Sequence, residues 1–590
     1  MISNRLRRLR EKMKEKGIDA YIIPSSDPHQ SEYVANRWKS REWISGFTGS
    51  AGIVVVTSDH AGLWTDSRYF IQGEQELDGS EFILHKVYNQ GSPQHIDWLM
   101  ETLPVGSVLG IEGNLIAEHS AKSLDKKAKK QQFTINYEED LISAVWEDRE
   151  DIPLDKIFVH ELKYTGMSAS EKIHKLREHM SEHNLSHYLA SSLDDIAWLY
   201  NIRSSDIEFN PVVISFAMIT ASQAYLYILE EKLSLEIKTY LGTQEITPIS
   251  YNLLREHLST IDKGDTIGLD MKTTSRKLTA AISCTPVSVP NFIQNMKAIK
   301  NSTEIAHLRN VMEKDAVALL KAFMWLEEHI GKTAISEYDF SEKLRTFRSQ
   351  QEGYYGESFA AIVGYKANGA IVHYKPDEQY SQNIEKDGVL LVDSGGQYLD
   401  GTTDITRTIC LSTPTPAQKE AYTAVLRGHI ALDKAIYPQG TTGTQLDILA
   451  RNFLWKKGMN YLHGTGHGVG FFLNVHEGPQ GITPGQSIRG GIPLEAGMVT
   501  SNEPGYYETG EYGIRIENLV LTKASDKEGF LEHETLTLFP IEKQMIDESQ
   551  LDSMEKQWMN RYHKIIFERV SPYLNEAEKA WLQEKCKPFG

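Results

Sequence analysis

The sequence predicts a mixed α/β and α+β protein in which two tandem, related α/β domains precede a larger third domain. Two observations predict this fold class. A helix–strand–turn pattern near the N-terminus recurs far downstream, and from about residue 301 glycines cluster while short β-branched strands alternate with helices. At about 150 residues per domain, the chain of 590 residues has room for three or four domains.

The first copy of the repeat opens on an amphipathic helix. Leu6, Leu9 and Met13 recur at helical spacing, and Gly17 is expected to end the helix. The apolar residues 20–23 then predict a buried strand, followed by a turn. We assign residues 1–155 to this first domain.

The second copy repeats these features at a constant distance of 167 positions. The shared helix, strand and turn indicate a domain related to the first, which we assign to residues 156–300. The matched pairs are Leu9 with Leu176, Met13 with Met180, Tyr21 with Tyr188, and Asp27 with Asp194.

The third domain is assigned to residues 301–590. Residues 297–302 are expected to form a linker, and Ser302 is expected to cap a long helix with Leu308 and Val311 in its apolar stripe. The tail, from about residue 546 to 590, is charged but rich in aromatic residues. Because exposed aromatic residues at that density usually pack against something, we predict a docked helical extension.

Composition argues against several classes of protein. The chain carries 62 basic and 80 acidic residues, a net charge of −18, whereas binding to nucleic acid or to an anionic membrane requires a basic surface. No apolar run reaches the roughly 18 residues of a membrane helix, and no secretory signal is recognised. Three dispersed cysteines suit a reducing compartment, so we predict a cytoplasmic protein without nucleic-acid or membrane partners.

Two carboxylates lie in neighbouring predicted strands of the third domain. An apolar stretch over residues 389–392 ends at Asp393, and residues 401–408 predict a strand with Asp404 and Thr406 on one face. A hairpin would bring Asp393 and Asp404 side by side. Adjacent carboxylates repel each other unless a cation or a shared proton lies between them.

A glycine-rich segment carries three histidines. His463, His467 and His476 lie within 14 positions, together with four glycines. Glycine lets the backbone approach a ligand closely. Histidine is both the commonest neutral metal ligand and a general acid or base.

Two glutamates lie in a further pair of predicted strands. Glu503 ends one strand, and Glu517 lies in a strand over residues 513–520, two positions from Arg515. An unpaired ion in a buried strand is unfavourable. Taken singly, each residue has a common structural explanation: a turn-forming Asp, a loop His or a surface Glu–Arg pair.

Taken together, the two aspartates, two glutamates and one histidine form a set of hard oxygen ligands with one imidazole. Four carboxylates offset the charge of two divalent ions. The set favours Mn²⁺, Mg²⁺ or Co²⁺ over a thiolate-seeking metal, with Zn²⁺ still possible. Two ions that share carboxylates activate a water between them.

Seven stretches spread along the chain carry a family resemblance. They are 27–52 (DPHQSEYVANRWKSREWISGFTGSAG), 64–70 (WTDSRYF), 371–376 (IVHYKP), 392–408 (VDSGGQYLDGTTDITRT), 463–479 (HGTGHGVGFFLNVHEGP), 501–507 (SNEPGYY) and 512–520 (YGIRIENLV). These stretches closely resemble the Xaa-Pro aminopeptidases (aminopeptidase P) of the pita-bread metallopeptidase family. The resemblance is to the long, three-domain cytosolic form, whose two N-terminal domains are themselves related.

The resemblance implies a pita-bread (creatinase/aminopeptidase-like) catalytic domain with two divalent metal ions. Mn²⁺ is expected first, with Co²⁺ or Zn²⁺ as alternatives. Asp404 and Glu517 would bridge both ions. Asp393 would bind one ion, and His467 with Glu503 the other. All five positions carry the residue type of the family.

Catalytic and substrate-binding roles also follow from the resemblance. A metal-bridging hydroxide would be the nucleophile, and Glu503 would shuttle the proton. His373 and His476 would bind the substrate and stabilise the tetrahedral intermediate. His463 would line the pocket on the proline side.

Two arginines have implied supporting roles. Arg515, counted with the substrate-binding residues, would orient Glu517. Arg68, in the first domain, would reach the substrate from across a domain or subunit boundary. The family form also implies a homodimer.

We therefore predict a metal-dependent aminopeptidase that removes the residue before proline from the N-terminus of peptides. A prolidase-like Xaa-Pro dipeptidase is one alternative, although it usually has a single N-terminal domain and this chain carries a repeat. A non-catalytic pita-bread binding module is a remote alternative. Such modules lose metal ligands, whereas this chain keeps all five.

Overall fold

The computed structural model describes residues 2–88, 93–485 and 489–589. The chain divides into two compact units, Met1–Leu162 with Met167–Ile293, and Lys163–Gly166 with Gln294–Gly590. Within the described ranges, no helix combines the length and the apolar character that crossing a bilayer requires.

The N-terminal unit begins with a six-stranded sheet in the order β4-β3-β2-β1-β5-β6. Leu6, Leu9 and Met13 are buried as predicted, and Gly17 ends the first helix with a φ of +64°. The elements are α1 (Ile2–Lys16), β1 (Ala20–Pro24), α2 (Ser40–Ser45), β2 (Ile53–Thr57), β3 (Ala61–Asp66), α3 (Phe70–Glu76), β4 (Ile83–Val87), α4 (Gln94–Thr102), β5 (Val108–Gly110), α5 (Glu118–Gln131) and β6 (Thr134–Asn136).

A second six-stranded sheet follows, in the order β12-β11-β10-β8-β13-β14. Its helices and strands, with a short two-stranded pairing of β7 and β9, are β7 (Phe158–Val159), α6 (Leu162–Thr165), α7 (Ala169–Glu182), β8 (His187–Ala190), α8 (Leu193–Leu199), β9 (Ile202–Arg203), β10 (Phe216–Thr220), β11 (Ala224–Ile228), α9 (Leu235–Thr243), β12 (Ile246–Ser250), α10 (Leu254–Thr260), β13 (Thr266–Leu269), α11 (Arg276–Ala280), β14 (Thr285–Ser288) and α12 (Phe292–Ala298).

The two sheets have the same topology. In the first, β1 pairs antiparallel with β2 and parallel with β5, and in the second β8 pairs antiparallel with β10 and parallel with β13. The outer pairs also match, since β3–β4 and β11–β12 are parallel, as are β5–β6 and β13–β14. The prediction of two related α/β domains in tandem is confirmed.

The second unit combines antiparallel sheets of two to six strands with long helices. Its sheets have the orders β15-β18-β19, β16-β17-β20, β21-β28-β27-β24-β22-β23 and β25-β26. The elements are α13 (Ser302–His329), α14 (Glu337–Arg348), β15 (Tyr354–Glu357), β16 (Ile362–Tyr365), β17 (Val389–Ser394), β18 (Gly396–Tyr398), β19 (Gly401–Thr402), β20 (Ile405–Cys410), α15 (Pro416–Asp433), β21 (Ile436–Pro438), α16 (Gly443–Trp455), β22 (Gly466–Gly468), β23 (Glu477–Ile482), β24 (Val499–Asn502), β25 (Gly505–Glu508), β26 (Tyr512–Arg515), β27 (Asn518–Ala524), β28 (Phe530–Thr535), α17 (Ser553–Val570) and α18 (Glu576–Lys585).

Two expectations at the start of this unit are wrong. Asn301, not Ser302, caps α13, because its side chain accepts hydrogen bonds from the Thr303 and Glu304 N–H groups. The expected linker is also buried. Lys297 and Lys300 form ion pairs of 3.0 and 2.8 Å with the two oxygens of Glu477, so this charged segment is part of the folded core.

The C-terminal tail docks on the second unit, as its aromatic residues predict. Trp558 and Tyr562 of α17 are buried in the same hydrophobic core as the long helix α13. The Tyr562 hydroxyl accepts a hydrogen bond from Arg407 at 2.9 Å and donates to the Thr537 carbonyl at 2.9 Å. The tail is therefore an integral part of the unit.

Candidate metal centre

Strand ends bring the predicted carboxylates together in the second unit. Asp393 lies on β17 and pairs across the sheet with Thr406 of β20. Asp404 directly precedes β20, because the strand begins at Ile405 rather than at residue 401. Both aspartates are buried, and the antiparallel β17–β20 pairing keeps them at the same end of the sheet.

Glu503 and Glu517 also lie directly beside the end of a strand. Glu503 comes directly after β24, whose last residue is Asn502. The sequence predicts Glu517 within a strand, but it lies in the link between β26 and β27, with 1% of its surface exposed. Its Oε2 accepts a hydrogen bond from the Thr406 hydroxyl at 2.8 Å, so the link is held onto β20.

His467 lies on β22 and faces two of these acids. Its Nε2 is 3.4 Å from Asp404 Oδ2 and 3.5 Å from Glu503 Oε1. Asp404, His467 and Glu517 offer ligand atoms that all lie within 4.8 Å of one another, which is a spacing that one metal ion can span. Gly466, next to His467, is required here, because a Cβ would lie 1.9 Å from the Ser501 carbonyl oxygen.

Arg515 is a buried cation that contacts the acids directly. Its Nη2 donates to Asp393 Oδ2 at 2.6 Å, and its Nε donates to the Thr406 hydroxyl at 3.1 Å. The other oxygen of the Asp393 carboxylate, Oδ1, is buried without a hydrogen-bond partner among the described residues. One arginine therefore balances only part of the negative charge.

The acids perturb one another. Burial raises the pKa of Asp393 to about 7, against the opposing effect of Arg515 and with a further rise from Asp404. Burial and the charge of Asp404 raise the pKa of Glu517 well above its ordinary value. Burial lowers the pKa of His467, but the carboxylates of Asp404 and Glu503 outweigh it and raise that pKa to about 9.

These features fit a site for divalent cations. Four acids, one imidazole and one buried arginine leave an excess of negative charge, and the protein alone relieves it only by holding protons. The free oxygen of Asp393 is a ready ligand atom. A donor set of carboxylate oxygens with one imidazole suits hard or borderline divalent ions.

The remaining predicted histidines lie in this unit. The His476 ring meets the His467 ring edge to face, with 4.4 Å between centroids. His463 Nε2 hydrogen-bonds the Tyr507 hydroxyl at 2.8 Å, and its Nδ1 is 4.0 Å from Glu503 Oε2. Both histidines therefore border the acid cluster.

His373 lies in the β16–β17 loop, residues 366–388, and is half-buried. The preceding carbonyl, that of Val372, accepts a hydrogen bond from Arg515 Nη2 at 3.5 Å. Arg515 thus joins this loop to Asp393.

Arg68 belongs to the N-terminal unit, in a short 3₁₀ turn after β3. Its Nε and Nη2 donate to the two oxygens of Asp66, each at 2.8 Å. Its predicted contact with the substrate stays a prediction.

Sequence patterns did not identify Tyr507 or Thr406 as site residues. The Tyr507 hydroxyl accepts from Arg515 Nη1 at 2.6 Å and also bonds His463, so it links the cation to a histidine. Thr406 joins Arg515 to Glu517. Only the alternation of Thr406 with Asp404 on a predicted strand pointed toward this role.

Family models match four stretches of the sequence. Residues 306–524 match metallopeptidase family M24, and residues 529–589 match its C-terminal region. Residues 5–137 and 148–304 each match a creatinase/prolidase N-terminal domain.

Similar proteins extend over the whole chain. The probable Xaa-Pro aminopeptidase P of Laccaria bicolor is 41% identical, over 100% of this chain and 94% of its own length. Xaa-Pro aminopeptidase 1 of Dictyostelium discoideum is 42% identical, over 100% of this chain and 97% of its own. The crystal structure of X-prolyl aminopeptidase from Caenorhabditis elegans, a cytosolic enzyme with a di-nuclear active site, has a TM-score of 0.96 at 33% identity and 100% coverage of both chains.

Proposed function

This chain belongs to metallopeptidase family M24 and, within it, to the Xaa-Pro aminopeptidases, and on that premise we propose that it removes the N-terminal residue from peptides whose second residue is proline. The observation that carries the proposal is the largely buried cluster of four acids and one imidazole, in which Asp404, His467 and Glu517 lie close enough to hold one ion. The alternative of a prolidase-like dipeptidase is disfavoured, because the related aminopeptidases match this chain through both N-terminal domains.

We assign two divalent ions to this cluster, with Mn²⁺ preferred and Co²⁺ or Zn²⁺ as alternatives. The residues that would hold them are Asp393, Asp404, His467, Glu503 and Glu517. When bound, such ions polarise a peptide carbonyl and activate a water.

Glu503 is the candidate for proton transfer. Its carboxylate lies near two imidazoles, with Oε1 3.5 Å from His467 Nε2 and Oε2 4.0 Å from His463 Nδ1. Burial raises its pKa. A carboxyl group that accepts and releases protons can protonate the leaving proline nitrogen, which departs as a secondary amine.

The neighbouring histidines would bind the peptide. An Xaa-Pro bond has no amide hydrogen, so recognition must use the carbonyl and the ring rather than that N–H. His373 and His476 would contact the carbonyl oxygen. His463, which Tyr507 holds, would line the proline pocket, and Arg515 would keep Tyr507 and Asp393 in place.

The test is hydrolysis of Arg-Pro-Pro by the full chain after removal of metals and addition of Mn²⁺. We expect free arginine, and a much slower release from Ala-Ala peptides. Faster cleavage of Ala-Pro than of Ala-Pro-Pro would support a dipeptidase instead. Absence of tightly held metal after dialysis would support a non-catalytic binding module.

The wider organisation completes the proposal. We propose domains at residues 1–155, 156–300 and 301–590, a homodimer, a cytoplasmic location and no partners among nucleic acids or membranes. Arg68 would contact the peptide in its own or a neighbouring subunit. If Arg68 makes this contact, Arg68→Ala should raise the KM for tripeptides.

A further inference from the structure

Glu337 is an acid outside the candidate metal centre that is completely buried. It is the first residue of α14, where the helix dipole favours a negative charge. Its hydrogen-bond donors among the described residues are neutral groups, not lysine or arginine. An isolated carboxylate in such a place is unfavourable unless its oxygens are fully hydrogen-bonded, and Glu337 meets that condition.

Among the described residues, the donors to the Glu337 carboxylate lie at the end of β16 and in the β16–β17 loop. The Tyr365 N–H donates at 2.7 Å, Asn368 Nδ2 at 3.0 Å, the Tyr374 hydroxyl at 2.7 Å and the Gln382 N–H at 2.9 Å. The Glu337 N–H in turn donates to the Gln382 carbonyl at 2.9 Å. One side chain thus holds the end of β16 together with the middle and the later part of the β16–β17 loop.

The same loop carries His373, and each of the two residues beside it hydrogen-bonds a residue outside the loop. The Val372 carbonyl accepts from Arg515 at 3.5 Å, and Arg515 also donates to Asp393. The Tyr374 hydroxyl donates to Glu337 at 2.7 Å. His373 is therefore fixed between an anchor on the acid cluster and an anchor on α14.

We propose that Glu337 is a positioning residue that acts through Tyr374 to hold His373 in the orientation in which it binds the peptide. This inference rests on the proposed function, because it assumes that His373 contacts the substrate. A displacement of about 1 Å in a group that orients a substrate lowers the rate by about 100-fold.

Tyr374→Phe is the decisive variant, because it removes one hydroxyl and leaves Glu337 with its other donors. Tyr365→Phe is the matched control. The Tyr365 hydroxyl bonds Asp387, and only its backbone N–H, which the substitution keeps, reaches Glu337. Both proteins are compared with the unmodified chain for Arg-Pro-Pro hydrolysis in Mn²⁺, for metal content and for thermal unfolding.

We expect Tyr374→Phe to lower kcat/KM by about 10- to 100-fold. Its metal content and unfolding temperature should equal those of Tyr365→Phe. Glu337→Gln, which turns an acceptor oxygen into a donor amide, should show the same kinetic defect. In a His373→Ala background, Tyr374→Phe should have no further effect, since both changes then remove one function.

Two outcomes would overturn the inference. One is a kcat/KM of Tyr374→Phe within twofold of Tyr365→Phe. The other is a full additional loss in the His373→Ala background, which would mean that Tyr374 acts independently of His373. If the unmodified chain cleaves no Xaa-Pro peptide, the proposed function is wrong and this inference fails with it. If the unmodified chain is active but Tyr374→Phe behaves like Tyr365→Phe, only this inference is wrong.

Discussion

Asp206 in the N-terminal unit and Asp393 in the second unit are both buried aspartates that face one cation, but they differ in what remains unpaired. The Asp206 carboxylate bonds Lys232 and also accepts from the Ser204 hydroxyl and the Ile214 N–H, so both oxygens have partners. Asp393 bonds Arg515 through one oxygen, while the other has no partner among the described residues. A compensated buried charge maintains a fold, whereas an uncompensated cluster of like charges indicates a site.

The largest expected effect is the loss of activity in Asp404→Asn. Removing residues that only support a metal ligand lowers activity by 10- to 100-fold, so we expect more than about 100-fold in kcat/KM for a ligand itself. The metal-free protein should unfold at the same or a higher temperature, because one repulsive charge is gone. Activity within tenfold of that of the unmodified chain would show that Asp404 is not a metal ligand.

Lys232→Met tests the compensated side of the comparison. Leaving Asp206 buried without its cation should lower the free energy of unfolding by about 3–5 kcal/mol, as urea denaturation measures. The double variant with Asp206→Asn should recover part of that loss. Arg-Pro-Pro hydrolysis per folded molecule at low temperature should stay unchanged, and a large kinetic defect would show that this pair does more than maintain the fold.

Adding metal tests whether cations relieve the acid cluster. Mn²⁺ at about 100 times its dissociation constant should stabilise the protein by about 2.7 kcal/mol, seen as a higher unfolding temperature than in chelator. The shift should shrink in Asp404→Asn and persist in Lys232→Met. An unfolding temperature that does not respond to Mn²⁺ would mean that the cluster is balanced by protons alone.

Arg515→Lys should have the smallest effect of the four. A lysine cannot reproduce the guanidinium that bonds Asp393, Thr406 and Tyr507 together. We expect a 10- to 100-fold lower kcat/KM. Metal analysis separates misorientation from metal loss, and unaltered kinetics would show that Asp393 needs only a positive charge nearby.

Much of the fold was predictable because it repeats or alternates locally. The helix and strand of the first copy have the spacing that burial requires, and their recurrence indicated two related sheets. The local sequence pattern predicts the wrong element boundary at two positions where the structure has a polar contact. Glu517 lies between two strands, where it accepts a hydrogen bond from Thr406. Asn301 caps α13 because its side chain reaches the helix N–H groups.

The candidate site was predictable as a set of residue types but not as a network. Five residues of the site can be recognised from the sequence, because ionisable side chains are unusual at buried strand ends. They are Asp393, Asp404, His467, Glu503 and Glu517. Tyr507 and Glu337 are not conspicuous. Their partners lie elsewhere in the chain, so no local spacing marks them.

The sequence by itself determined the order of the domains, the residue types of the candidate site and the net negative charge, because those depend on residue identity and short-range periodicity. Only the tertiary structure decided which charges are compensated. The sequence predicts that Lys297 and Lys300 are linker residues, but the fold places both against Glu477. Arg515 hydrogen-bonds only one oxygen of Asp393. Charge compensation is a property of distances between remote residues, and those distances exist only in the folded chain.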